Sequence, residues 1–512
     1  MFQRAELEFP LKIQRIVVLG GGSAGYLSAL ALKARLPQLD VTILCSPDIG
    51  IIGVGEGTTI SVPEHLHHNL KLDPVEFHTR VKATWKLGIK FLWGPREYFN
   101  YTFTPQFSGQ YEMLRKPNGF YSTGNAEFAN PESALMTMDK AFLRDASGVP
   151  RLTRNHTAYH MENASFVEYL EACALRQGIQ IVNETVTSAE QDEKGIQALL
   201  CQSGRRIEAD FWIDCSGFFS FLLGKTMNVP FVSFDRSLFC DRAVVGGWDR
   251  GSGEVIKPYT TAETMDSGWC WQIEHDHRVN RGYVYSSAFI GDEEAEAEFR
   301  RKNPKVGPTR VVRFLSGYYD RSWEKNVVAI GNSAGFVEPM EATAIMVICN
   351  ESWALAESLA ESELEPGEAT AAIFNNWCRQ TWESIRGFLA IHYKFNTRLN
   401  TPFWRACREE TALGDKAGQY VAYFRENGPS LLWMNTIIEG GNVFGPEGWV
   451  TLLVGQDVPH RRKYMPSDAE LREWKKIQAG NWAMAANGIS VAEMSKLVRS
   501  PEWKFPENFF MR

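Results

Sequence analysis

The sequence predicts a protein of the α/β class, in which a parallel sheet is joined by an antiparallel sheet and followed by a mainly helical C-terminal region. Three observations lead to this prediction. An apolar strand-like run continues into a glycine-rich turn and a helix at residues 12–35. Further strand-like runs recur as far as residue 330, and beyond Glu341 the apolar residues recur with helical spacing.

The first elements form a strand–turn–helix unit. Lys12 to Leu19, KIQRIVVL, predicts a strand, and YLSALALKARL after the turn is rich in good helix formers. The turn GGGSAG fits the pattern GxGxxG through Gly20, Gly22, Ser23, Ala24 and Gly25. Glycines at this spacing allow a tight turn and close approach of a pyrophosphate to the helix N-terminus. With the strand VTILC from Val41, they predict a Rossmann-like dinucleotide site.

One residue of this dinucleotide pattern is missing. An acid that holds a ribose hydroxyl is expected about 20 residues after the turn. Cys45 stands at that place, so Ser46 or Asp48 would have to substitute. We therefore expect a weak hold on the adenosine part of the dinucleotide.

Later segments alternate between helix and strand signals. A helix is predicted from Ser165 to Gln177, ending at Gly178. Strands are predicted in IQIVNETV, in RRIEADFWIDCSG, and at Ala243–Trp248, Gly268–Ile273, Tyr283–Phe289 and Asn326–Ile330. Loops are expected to interrupt the helical region at 397–403 and 427–447.

These signals divide the chain into two expected regions. Residues 1–395 form a dinucleotide-binding core with an insertion at about 93–160, and residues 396–512 form a mainly helical module. The module is expected to pack as a second layer and not as an independent domain.

Composition restricts the class of function. The 512 residues carry a net charge of −7 at a pI near 5.9, which argues against nucleic acid as a partner. The N-terminus carries charges where a signal peptide needs an apolar run, and no window has the about 18 apolar residues of a membrane span. We therefore expect a cytoplasmic protein without a membrane partner.

Cysteine and histidine positions give no metal signal. The nine cysteines include no C-x-x-C pair, which fits reduced thiols. His65, His67 and His68 cluster, but no second group of ligands has suitable spacing. We expect no metal and treat these histidines as core or surface residues.

Two tryptophans stand one residue apart in DSGWCWQIEH. In a strand, Trp269 and Trp271 would lie on the same face and form an aromatic wall. Such a wall can complete a core or line a compartment.

Two further fragments extend the dinucleotide pattern. Asp214 lies in IDCSGFFS, and Gly331 with Asn332 lies in NVVAIGNSAGFVEPMEATAI. Together with the GxGxxG turn, these fragments resemble the FAD-binding elements of the flavin monooxygenase fold. Asn332 replaces the usual aspartate and brings no charge.

The order of the remaining motifs is more specific. GGGSAG, GVGEGT with Gly55 and Glu56, ATWKLGIKF with Lys86, DCSG, the W-x-W-x-I run and PMEATAI follow one another in the chain. The sequence resembles flavin-dependent tryptophan halogenases over most of residues 11–400. The family pattern has proline where this chain has Glu274.

The resemblance implies a two-component reaction. FAD, reduced by a separate NADH-dependent flavin reductase, would react with oxygen and a chloride or bromide ion to give hypohalous acid. Lys86 matches the lysine that directs this acid to the substrate, and Glu341 matches the glutamate that takes the ring proton. The purely structural alternatives are that Lys86 is a surface lysine on a helix and that Glu341 is an acid favoured by a helix N-terminus.

The resemblance also implies residues around the halide and the substrate. Thr343 and Ala344 occupy the halide positions, and Ala344 replaces a common glycine, so bromide is expected to be preferred. Trp269 and Trp271 would keep the substrate from the flavin. Tyr101, Phe103 and Phe444 would hold an aromatic ring, which is expected to be an indole derivative other than free tryptophan.

Two other functions stay open. An aromatic hydroxylase on the same fold would need neither Lys86 nor Glu341, and a flavin-binding protein without turnover could retain both. The oligomeric state is also open, with a homodimer as one alternative.

Overall fold

The computed structural model describes residues 12–50, 53, 55–104, 127–151, 157–430, 434–438 and 443–506. The predicted α/β class is confirmed. A six-stranded sheet contains, in spatial order, Gln180–Asn183, Asp40–Cys45, Arg15–Leu19, Phe211–Asp214, Val327–Ala329 and Trp323–Glu324. Neighbouring strands are parallel except at the last pair.

The predicted strand–turn–helix unit lies at the centre of this sheet. The helix Ser23–Arg35 follows the central strand and connects it to Asp40–Cys45. It packs against the helices Asn163–Arg176 and Ala344–Glu361. Gly178, with φ of +75°, follows the helix Asn163–Arg176 as predicted, in the left-handed conformation that glycine adopts easily.

A seven-stranded sheet is added to the parallel one. Its strands are, in spatial order, Arg310–Arg313, Arg242–Asp249, Arg278–Tyr285, Gly268–Glu274, Thr260–Met265, Gly88–Leu92 and Phe99–Thr102. All neighbours are antiparallel except Thr260–Met265 and Gly88–Leu92. The predicted strand Tyr283–Phe289 is wrong in its bounds, because the chain turns after Tyr285, where Phe289 N–H donates to Ser286 O at 3.0 Å.

The remaining strands among the described residues form four three-stranded sheets. They contain Glu56–Gly57, Ala158–Met161 and Thr84–Lys86; Val186–Asp192, Gly195–Cys201 and Arg206–Glu208; Phe231–Ser233, Gly317–Tyr319 and Gly335–Phe336; and Ile489–Ser490, Lys140–Arg144 and Pro150–Arg151. The first of these carries Lys86, which therefore lies on a strand and not on a helix.

Helices dominate the C-terminal part, as predicted. They are Ala344–Glu361, Glu368–Phe395, Pro402–Glu410, Asp415–Asn427, Met434–Ile437, Gly445–Gly455, Asp468–Ala486 and Val491–Val498. One hydrophobic core joins Ile16 of the parallel sheet with Trp404 and Val498 of this region. The C-terminal residues thus complete the core of the N-terminal sheet.

The other helical segments connect the sheets. They are Ser61–Glu64, His65–Asn69, Pro74–Arg80, Pro131–Thr137, Gly217–Phe219, Phe221–Thr226, Asp292–Lys302, Gly331–Ser333 and Pro339–Glu341. Within the described ranges, none of the helices combines the length and the apolar character needed to cross a membrane.

Candidate active site

The glycine-rich turn is tightly packed on one side and open on the other. A β-carbon on Gly20 would lie 2.2 Å from Cys215 O, and one on Gly25 would lie 1.9 Å from Gly20 O. No heavy atom lies within 4 Å of such an atom on Gly22, which is the N-cap of the helix Ser23–Arg35. No side chain caps this helix, and its first turn has no acid, so its N–H groups are available to an anion. These residues fit a pyrophosphate.

The three predicted FAD elements meet at this turn. A β-carbon on Gly331 would lie 3.1 Å from Ala24 Cβ, so the third element packs directly on the first helix. Asp214 is fully buried and ends the strand beside Arg15–Leu19. Its Oδ1 accepts from Ser216, and its Oδ2 accepts from the N–H groups of Leu222 and Leu223. Asp214 therefore acts through the loop that it organises, while Asn332 is half-buried beside Gly331.

A hydrogen-bond chain joins the turn to the GVGEGT segment. Ser23 Oγ donates to Asn163 Oδ1 at 3.3 Å, and Asn163 Nδ2 donates to Glu56 Oε1 at 3.3 Å. Desolvation raises the pKa of Glu56 to about 7. Gly55, with φ of +81°, lies against His275 and Asn280, where a β-carbon would collide with both side chains. Ser23 and Glu56 are thus linked by a residue, Asn163, that sequence reasoning missed.

The expected substitutes for the ribose acid are engaged elsewhere. Ser46 Oγ lies 2.7 Å from Thr185 Oγ1, whose hydroxyl donates to Asp48 Oδ2 at 3.2 Å. Cys45 Sγ donates to Asn183 Oδ1 at 3.1 Å. All three residues bond to residues 183–185, at the end of the strand Gln180–Asn183 of the parallel sheet, and the weak hold on adenosine stays a prediction.

Lys86 is completely buried. Its Nζ donates to Thr58 O at 3.0 Å and lies 5.3 Å from the centroid of the Phe103 ring. Desolvation lowers the pKa of Lys86 to about 7, although the charge of Glu341 raises it. Burial therefore favours the amine form more than in an exposed lysine, and the alternative of a surface lysine is wrong.

The turn that carries Glu341 lies next to Lys86. A β-carbon on Gly57 would lie 3.3 Å from both Lys86 Nζ and Ala342 Cβ, so these three residues meet at one point. Ala342 has φ of +55°, a left-handed conformation that costs a residue with a β-carbon ~1–2 kcal/mol. A strained turn is thus held against the lysine.

Glu341 is paired with a histidine that sequence reasoning missed. Its side chain is buried, and Oε1 lies 2.7 Å from His392 Nε2 on the helix Glu368–Phe395. The acid precedes the helix Ala344–Glu361 and is not part of its first turn. Glu341 therefore interacts with the His392 side chain and not only with the dipole of the helix Ala344–Glu361.

The predicted halide residues begin that helix. Thr343 is the N-cap, its side chain makes no capping bond, and the first turn has no acid. Ala344 is the first helical residue. The N–H groups of this end suit a small anion.

Two of the predicted aromatic residues, Tyr101 and Phe444, contact a ring that was not predicted. Phe444 stacks on Phe388, with centroids 3.9 Å apart and planes at 12°. Tyr101 also contacts Phe388, at a centroid distance of 6.2 Å, while Phe103 faces Lys86. Phe388 and His392 are four residues apart on one helical face, and this spacing was the available signal.

Trp269 and Trp271 form the predicted wall. Both are buried on one strand, with ring centroids 6.1 Å apart, and Trp271 covers Gly282 of the next strand. Glu274, which replaces the family's proline, is buried and accepts from Arg250 at 2.6 Å. Thr84, two residues before Lys86, donates to Glu274 O at 2.5 Å.

The described histidines, cysteines and acids form no metal site, since no three of them are grouped to hold an ion. His65 and His67 are buried, and all nine cysteines are free.

The family comparison shows that the protein is an oxidoreductase of the flavin-dependent halogenase class. The family model for tryptophan halogenases matches residues 15–470. The chain belongs to the tryptophan halogenase family, whose members use FAD and a halide. The predicted family is confirmed.

Individual relatives and solved structures support this family assignment. Tryptophan 7-halogenase KtzQ from Kutzneria sp. (strain 744) is 32% identical over 85% of this chain and 85% of its own. The crystal structure of MibH, a lanthipeptide tryptophan 5-halogenase, is 38% identical with a TM-score of 0.88 and covers 96% of this chain and 95% of MibH. The flavin-dependent halogenase Xcc4156 from Xanthomonas campestris is 27% identical with a TM-score of 0.83, covering 95% and 98%.

Proposed function

We propose that the chain halogenates an indole ring with hypohalous acid that Lys86 directs to the substrate. Reduced FAD, when bound at residues 20–25, 55–56, 214 and 331–332, supplies the electrons with which oxygen converts halide to hypohalous acid. The observation that carries the proposal is the burial of Lys86, whose Nζ has Thr58 O and the face of Phe103 as surroundings.

Two residues perform the transfer in this proposal. Lys86, as an ammonium, donates a hydrogen bond to the hypohalous acid or, as an amine, carries the halogen; its pKa of about 7 allows either form. Glu341 then accepts the proton that leaves the halogenated ring carbon. The wall of Trp269 and Trp271 keeps the ring away from the flavin.

The proposed substrate is an indole carried by a larger molecule, or indole itself. MibH, a lanthipeptide tryptophan 5-halogenase, has a higher sequence identity to this chain than KtzQ, 38% against 32%. The stretch Leu431 to Gly448 has no tyrosine for the charged groups of an amino acid, although part of it lies outside the described residues. An unpaired zwitterion would cost several kcal/mol of desolvation.

The substrate proposal is tested by kcat/KM for free tryptophan, indole and a tryptophan-containing peptide with one reductase. We expect indole or the peptide to exceed tryptophan. A tenfold preference for free tryptophan would refute this proposal.

The reaction itself is tested by one incubation with reduced FAD, oxygen, bromide and indole, followed by mass spectrometry. A halogenated product is expected. A hydroxylated product would support the hydroxylase alternative, and the absence of any product would support a binding protein without turnover.

The proposed partner is a separate NADH-dependent flavin reductase in the cytoplasm. The only dinucleotide motif is used for FAD, and the free cysteines fit a reducing compartment. NADH consumption should therefore require added reductase, and FAD should be lost on gel filtration. Stoichiometric yellow flavin after the column would contradict the weak hold on adenosine.

We also propose a boundary at residue 395 between the dinucleotide-binding core and the C-terminal helical module. A homodimer is the proposed oligomeric state.

A further inference from the structure

The histidine beside Glu341 has one ring nitrogen whose protonation is fixed by a neighbouring carbonyl. His392 Nδ1 lies 3.0 Å from Phe388 O, and a carbonyl oxygen only accepts, so Nδ1 carries a hydrogen. The 2.7 Å contact between Nε2 and Glu341 Oε1 then requires one more proton. The pair is either an imidazolium with a carboxylate or an imidazole with a carboxylic acid, and is neutral overall.

Water cannot easily replace either partner. His392 is fully buried, and its ring contacts Phe91, Phe388 and Trp93 at centroid distances of 5.2, 5.2 and 6.3 Å. Its backbone carbonyl accepts from Trp93 Nε1 at 2.9 Å, which fixes this turn of the helix. The imidazole therefore has a single position relative to Glu341.

Two other buried glutamates show what burial does here without a histidine. Glu338 bonds to the hydroxyl of Tyr393, and Glu351 accepts from Gly331 N–H at 3.3 Å. Desolvation raises the pKa of each to about 8. Burial in such surroundings favours the protonated carboxyl, which is a poorer base than a carboxylate.

We infer that His392 is a positioning residue that keeps Glu341 ready to accept the substrate proton. The inference rests on the proposed function and deepens it. His392 binds Oε1 and leaves Oε2 for the substrate. When the ring carbon gains the halogen, its carbon–hydrogen bond breaks, the electron pair returns to the ring, and the proton passes to Oε2. The pair then holds three protons, on Nδ1, between Nε2 and Oε1, and on Oε2, and carries one positive charge.

The first test compares single-turnover bromination of indole and ring-deuterated indole. In wild type we expect no primary isotope effect, because proton removal is fast. His392→Phe should slow product formation on the order of 100-fold, the usual contribution of a general base, and should expose a primary isotope effect. His392→Gln, whose amide can still donate to Oε1, should recover part of the rate. Flavin oxidation should be unchanged in both variants.

The control is His67→Phe, which removes a buried histidine bonded to the Tyr159 hydroxyl at 3.2 Å. It should cost stability without an isotope effect. An isotope effect absent from both His392 variants, or equal in the control, overturns the inference.

A second measurement requires neither catalytic turnover nor a soluble His392→Phe variant. In 15N-histidine spectra of the wild-type protein, the signal lost in His392→Gln should show a protonated Nδ1 and should shift in Glu341→Gln. A bare Nδ1, or no response to Glu341→Gln, overturns the inference. A wild type that fails to brominate indole while showing this signal refutes the proposed function alone.

Discussion

Single residues decide the chemistry of this site through burial. Lys86 has a carbonyl and an aromatic face around its Nζ, so its charged form is poorly solvated. This environment favours the uncharged amine, which is the nucleophilic form that can react with an electrophile.

Replacing Lys86 by methionine keeps the apolar volume and removes the amine. Halogenated product should fall at least about 100-fold, while flavin oxidation and hypohalous acid formation persist, since the lysine acts after the halide step. Mass spectrometry of the product and a chemical trap for hypohalous acid measure the two steps. Lys90→Met is the matched control. Lys90 is on Gly88–Leu92, the next strand along the chain, and its Nζ lies over the rings of Tyr98 and Tyr259. Near-normal halogenation by Lys86→Met would contradict the assigned role.

Ala344 should influence the choice of halide. Its methyl group begins the helix whose N–H groups face the predicted anion site, and one added methylene in a packed site costs ~1–3 kcal/mol. Wild type should prefer bromide in a competition at equal halide concentrations. Ala344→Gly should raise the ratio of chlorinated to brominated product by roughly tenfold. Mainly chlorinated product from wild type would count against this prediction.

At the scale of elements, the strand–turn–helix unit combines a structural glycine with a binding glycine. Gly25 lets the helix Ser23–Arg35 approach the strand, and Gly22 leaves its N-terminus open. The two positions therefore provide matched variants with different expected effects.

Gly25→Ala should destabilise the protein by ~1–3 kcal/mol, because the new β-carbon would lie 1.9 Å from Gly20 O. Gly22→Ala should leave stability nearly unchanged and weaken FAD binding, since its methyl group points into open space at the expected pyrophosphate. Thermal melts and FAD titration separate the two effects. Equal melting temperatures for both variants would show that the close contact at Gly25 is unimportant.

At the scale of the whole molecule, buried ionisable groups make opposite contributions to stability. Burial lowers the pKa of His65 and His67 to about 4 and of His78 to about 3. It raises the pKa of Glu338 and Glu351 to about 8. The histidines weaken the folded state as the pH falls, and the glutamates weaken it as the pH rises. A single histidine is therefore best measured as a difference between two proteins.

His78→Phe isolates one such contribution, because the new ring can retain the tilted ring contact with Trp85. Between pH 6.5 and about 3, the unfolded chain binds the histidine proton and the folded chain does not. Relative to the variant, wild type should lose up to ~1.4 kcal/mol per pH unit as the pH falls through this range. Denaturant unfolding at several pH values measures the difference. A difference that does not change with pH would contradict the prediction.

Local sequence patterns predicted those elements whose characteristic residues lie within one continuous segment of the chain. The GxGxxG turn, the helical C-terminal region and the paired tryptophans lie where the sequence places them, because spacing along one element fixes which side chains share a face. The strand end at Tyr285 was missed, because an apolar run does not reveal where a chain turns.

The sequence by itself determined the α/β class, the dinucleotide turn and the family, because each depends on residues at fixed spacing within short segments. Only the tertiary structure decided the surroundings of those residues. It placed Lys86 on a buried strand, paired Glu341 with His392 across 51 positions of the chain, and stacked Phe444 on Phe388. These pairs come from segments far apart in the sequence, and no local spacing encodes their meeting. The desolvation that shifts the pKa of Lys86 is likewise a property of the assembled core.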